Sequence, residues 1–71
     1  MIFVTLVCKI PTSPVKKTVM INVNMIKYMA PNGIDGSGTL IFLGSGDYLV
    51  ADESIQETRK RIEDAVRKGN V

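Results

Sequence analysis

Thr39-Leu-Ile-Phe-Leu43, Gly44-Ser-Gly-Asp47, Tyr48-Leu-Val-Ala51 and then Ser54-Ile-Gln-Glu57 carry the strongest folding signals in the chain. Two strand-like runs flank a Gly-Ser-Gly-Asp turn, which is the pattern of a β-hairpin. Ser54 followed by Glu57 spells a capping box: the hydroxyl accepts from the Glu57 amide while the carboxylate reaches back to the Ser54 amide. Beyond it, Ile55, Thr58, Ile62, Ala65 and Val66 recur at steps of three and four, the apolar stripe of an amphipathic helix. Glu57/Arg61, Lys60/Asp64, Glu63/Arg67 and Asp64/Lys68 stand four apart, as helical ion pairs do. Arg67 and Lys68 complement the C-terminal dipole, and Gly69 suits a left-handed residue just past the end.

Upstream of the hairpin the chain reads as further strands. Residues 2–10 are rich in β-branched and aromatic types and stop before Pro11-Thr-Ser-Pro14, which cannot continue a ladder. Lys17-Thr-Val-Met-Ile21 is a second short strand, Asn22-Val-Asn24 is turn-like, and Met25-Ile-Lys-Tyr-Met29 is a third strand. Pro31 to Gly38 holds Pro, Asn-Gly and two further glycines, and reads as a loop or a wide hairpin turn.

A chain of 71 residues is a single small domain spanning 1–71, with little surface to bury and one cysteine, so no internal disulfide staples it. The net charge of +2 is too weak to imply a nucleic-acid or membrane partner by itself. The apolar run Met1 to Val7 is far shorter than the roughly 20 residues of a membrane span and has no basic leader. A buried first strand and a cytoplasmic location are the expectation, with no membrane insertion.

The strands leave one question open. Strand one offers Ile2, Val4, Leu6, Cys8 and Ile10 on one side, with Phe3 and Val7 on the other. The fourth offers Leu40 and Phe42 on one side, Ile41 and Leu43 on the other. A sheet with one wet face alternates apolar and polar residues cleanly, and these strands do not. One helix cannot cover two faces, so the second is expected to meet another copy or a protein partner, with Phe3, Val7, Ile41 and Leu43 as contact residues. The other solution is a sheet that curls on itself as a small half-barrel.

Signals for chemistry are sparse. There is no histidine, which removes Ser-His-Asp and Cys-His machinery and histidine-based zinc sites. Cys8 sits in an apolar strand, where a cysteine is ordinarily a small buried hydrophobe. The carboxylates fall in turns, caps and solvated helix faces. Gly44-Ser-Gly46 joins two strands, whereas phosphate loops lead from a strand into a helix. No enzymatic activity, cofactor or metal is expected. A nucleic-acid-binding regulator is the alternative, using Lys16, Lys17, Arg59 and Arg61, although acidic residues interleave the helix.

Ile21-Asn-Val-Asn-Met-Ile26, Thr39-Leu-Ile-Phe-Leu-Gly-Ser-Gly-Asp-Tyr-Leu-Val50 and Glu53-Ser-Ile55 resemble the short bacterial FlbD-like proteins of flagellar operons and swarming motility. The resemblance runs from about residue 17 to 66 and rests on fold determinants. The segment Cys8 to Lys17, with two prolines, stands where that family usually makes a tight Asn-Gly turn, and Asn32 to Gly38 is an insertion. The resemblance implies an accessory role and brings no catalytic residues. The expected fold is α+β: a four- to five-stranded antiparallel meander with one C-terminal helix packed on one face. The expected function is a non-enzymatic interaction module, self-associating or bound to a protein partner.

Overall fold

A computed structural model describes residues 2–69, so Met1 of the N-terminal run lies outside it. Five antiparallel strands and one helix follow in order: β1 (Phe3–Lys9), β2 (Lys17–Asn22), β3 (Ile26–Asn32), β4 (Gly38–Leu43), β5 (Tyr48–Ala51) and α1 (Ile55–Gly69). The strand order is β2-β1-β5-β4-β3, and α1 packs on one face, giving the expected α+β architecture.

The connection between β2 and β3 shapes the sheet. These strands are its two edges, yet only a 3-10 turn, Val23–Met25, joins them. A flat five-stranded sheet sets its edges roughly 19 Å apart at about 4.8 Å per neighbour. Three 3-10 residues advance only about 6 Å. The sheet therefore curls until its two edges approach at this corner, with its strands running round the curl in chain order. Asn22 starts this turn by accepting from the Asn24 amide at 3.0 Å, and the Val23 amide donates to the Ile2 carbonyl at 2.9 Å.

Register assigns the faces. Six residue pairs join β1 to β2, from Phe3↔Asn22 to Cys8↔Lys17. Only Cys8↔Ala51 and Lys9↔Val50 join β1 to β5. Thr39↔Ala51 and Ile41↔Leu49 lie on the concave side, with Leu40↔Val50 and Phe42↔Tyr48 on the convex side. Buried Val4, Leu6, Cys8, Ile21, Ile41 and Ala51 form the concave core, closed by Ile62 and Ala65 of the helix. Burying one such aliphatic side chain stabilises by about 1.5–3 kcal/mol.

Two threonines anchor the helix. Thr39 and Thr58 are fully buried; the Thr58 hydroxyl donates to Thr39 Oγ1 at 3.4 Å, and the Thr39 hydroxyl donates to the Glu53 carbonyl at 2.8 Å. Both hydroxyls are thereby satisfied, which removes the cost of burying them.

Several local details depart from the sequence reading. β3 continues through Pro31 to Asn32, because an edge strand needs no amide on its open side. Half of the capping box forms: the Glu57 amide donates to Ser54 Oγ at 3.3 Å, with no return bond from Glu57 among the described residues. None of the four expected ion pairs appears among the described residues. Arg59 pairs with Glu63, Arg67 with Asp64, and Arg61 with Glu53 outside the helix. Each exposed pair is worth only tenths of a kcal/mol, so the long side chains choose among near-equal partners. Gly69 is the last helical residue and has no positive φ. Its smallness serves close approach instead, since a Cβ there would lie 2.9 Å from Ile2 Cγ1.

Candidate functional site

The convex face of the sheet combines exposure with apolar character; Ile10 and Val15, in and beside the β1–β2 loop, are exposed as well. On the β1–β2 half, Phe3, Thr5 and Val7 alternate outward opposite Asn22, Met20 and Thr18. Phe3 is 43 % exposed, Val7 47 % and Met20 68 %. On the β3–β4–β5 half, Tyr28, Phe42 and Tyr48 stand in register across three strands. The Tyr28 and Phe42 rings stack at 4.4 Å, and Phe42 meets Tyr48 at 5.5 Å. Offset ring contacts of this kind add about 0.5–1.5 kcal/mol beyond area burial. A bulge at the start of β3, between Ile26 and Tyr28, brings Tyr28 opposite Phe42.

This geometry corrects the expected contact set. Phe3 and Val7 do face outward. Ile41 is 0 % exposed, at the centre of the concave core, and half-buried Leu43 packs against that core beside it. Alternation puts Ile41 and Leu43 on the same side as Thr39, and Thr39 points inward to reach Glu53 and Thr58. The outward residues of β4 are therefore Leu40 and Phe42. The aromatic ladder escaped the sequence reading because its rings lie on three strands whose register the sequence does not print. The adjacent Thr-Leu-Ile-Phe and Asp-Tyr runs either side of a four-residue turn were the signal available for Phe42 and Tyr48.

Three of the four cations expected for nucleic acid pair with carboxylates. Lys16 Nζ contacts Asp52 at 3.0 Å, Arg61 contacts Glu53 at 2.7 Å, and Arg59 contacts Glu63 at 3.3 Å. The Glu53 side chain is only 14 % exposed, and its hydrogen bond to Arg61 raises the guanidinium pKa further above its ordinary value. Lys17 sits opposite Cys8 at the start of β2, on an exposed backbone position.

Cys8 is buried in the core, and burial, with Glu53 nearby, pushes its thiol pKa up to about 11. A thiol held protonated in this way is a packing residue at neutral pH. In the β3–β4 loop the Ser37 amide donates to Asp35 Oδ1 at 3.0 Å, lowering that carboxyl's pKa, and Gly33 and Gly36 supply the positive φ that the turn needs. Among the described residues, no helix is long and apolar enough to cross a membrane. Comparison with protein-family models, characterised proteins and solved structures finds no match.

Proposed function

We propose that the chain is a non-enzymatic interaction module that presents the convex face of its sheet to protein, either a second copy or a different chain. The observation that carries this reading is that Phe3, Val7 and Met20 on β1 and β2, and Tyr28 on β3, each more than two-fifths exposed, all point to the convex side of the sheet. Large side chains that stay wet on a domain this small cost solubility, and interfaces are where such residues are retained. The resemblance to FlbD-like accessory proteins agrees with a role of this kind. The nucleic-acid alternative would draw on Lys16, Lys17, Arg59 and Arg61, three of which already spend their charge on carboxylates. The stacked tyrosine and phenylalanine rings also use faces on each other that a base would need.

The test is solution mass by light scattering over a concentration series, with Met20→Lys compared against wild type. The expected result is a wild-type assembly of two or more chains that Met20→Lys reduces while leaving the circular dichroism unchanged. A wild-type mass of one chain throughout, equal to the variant's, overturns self-association through this face.

A further inference from the structure

The sheet has an open edge inside it, distinct from its outer edges. Because the Val23 amide donates to the Ile2 carbonyl, the pair Ile2/Val23 is a hydrogen-bonded one, and the antiparallel pattern alternates from there. Val4, Leu6 and Cys8 thus aim their amides and carbonyls at β2, while Phe3, Thr5, Val7 and Lys9 aim theirs the other way. On that side, Lys9 meets Val50, and the Val7 carbonyl accepts from the Asp52 amide at 2.9 Å. After Asp52 the chain leaves for the helix. Among the described residues, the amides and carbonyls of Phe3 and Thr5 have no main-chain partner.

The space beside this edge is unfilled. A groove of about 510 Å³ runs between Ile2–Thr5 and the helix residues Arg61, Asp64 and Lys68. A second, of about 310 Å³, continues it along Thr5–Val7 towards Asp52.

We propose that this edge pairs antiparallel with β1 of a second copy, about a twofold axis through Val4. That axis sets Phe3 opposite Thr5 of the other copy, and Thr5 opposite its Phe3. The four open groups on each edge then satisfy one another in four hydrogen bonds, and β2-β1 of both copies fuse into one sheet. An axis through Thr5 would instead set Phe3 against Val7, whose carbonyl the Asp52 amide already holds, whereas the axis through Val4 pairs the open groups of Phe3 and Thr5 with one another.

Composition favours a second copy as the occupant. Natural edges carry lysine, proline or bulges that repel a further strand. β2 begins beside Pro14, Lys16 and Lys17, and β3 carries Lys27, Pro31 and a bulge. Ile2 to Cys8 has no charge and no proline, so two copies meet without like-charge repulsion. The helix wall beside it offers both signs, Asp64 and Lys68. This pairing does not depend on the convex face being an interface.

Amide hydrogen exchange by NMR on the full chain, run at several concentrations alongside the solution mass, tests it. Val4 and Leu6 amides should be protected throughout, and Phe3 and Thr5 amides should gain about tenfold protection or more as the mass doubles. Thr5→Pro removes an amide that β2 does not use, and combined with Met20→Lys should give a folded monomer. Met20→Lys should leave the edge pairing intact. The proposal is overturned if the mass doubles while Phe3 and Thr5 exchange at unchanged rates, if those amides are protected in a monomer, or if the chain stays monomeric at millimolar concentration. A Thr5→Pro, Met20→Lys protein that still dimerises overturns it as well. Should Thr5→Pro fail to fold, the wild-type exchange pattern decides alone.

Discussion

The concave and convex faces of this sheet are built by the same strands from much the same residue types, yet they live in different environments. On β1, Val4, Leu6 and Cys8 lose nearly all contact with water, while Phe3 and Val7, one step along, stay about half wet. On β4, Ile41 is sealed and its neighbours Leu40 and Phe42 are only partly covered. The difference comes from where α1 sits and from the coiling that the short β2–β3 turn enforces. Apolar character alone does not decide burial; the layer that lands on top does.

Substitutions that distinguish the faces test this contrast. Ile41→Ala should show the largest effect, a loss of about 2–5 kcal/mol in urea unfolding, because it opens a cavity in the sealed layer. Thr39→Val should cost about 1–3 kcal/mol by the same measurement, since it deprives the buried Thr58 hydroxyl of its partner. Cys8 provides a pH probe. Its folded pKa of about 11 lies above the ordinary 9.0, so its contribution is fully present below pH 9 and is lost as pH rises towards 11. Urea midpoints should fall by the equivalent of about 1 kcal/mol between pH 9 and 10, and Cys8→Ala should flatten that slope. Smallest of all, Met20→Ala on the convex face should stay within about 0.5 kcal/mol of wild type in dilute solution. A Met20→Ala cost equal to that of Ile41→Ala would break the contrast between the faces.

The order of elements was legible in the sequence because turns and caps are local. Gly44 to Asp47, the Ser54 cap and the stripe through Thr58, Ile62 and Ala65 all appear where spacing puts them. The faces of β1 were legible too, since Thr5 and Lys9 mark the wet side of the alternation. β4 misled because its one polar residue turns inward. Both faces of β4 are apolar in the sequence, and only the distant Glu53 carbonyl and Thr58 hydroxyl, which draw Thr39 inward, put Ile41 and Leu43 on the core side. The aromatic ladder and the open edge of β1 depend on pairings between residues about 40 positions apart or on a bulge, and neither leaves a local trace.

The ring order of the strands also bears on how the molecule assembles itself in time. Three of the four ladders, β1–β2, β3–β4 and β4–β5, join neighbours in sequence and form as hairpins, for which little loop entropy is lost. The fourth, β1–β5, has two register pairs and closes a loop of some forty residues, so it is rewarded last in folding and released first in opening. The chain thus consists of a hairpin and a three-stranded unit with its helix, joined by a two-pair ladder at Cys8 and Lys9 and by the core the helix closes over both.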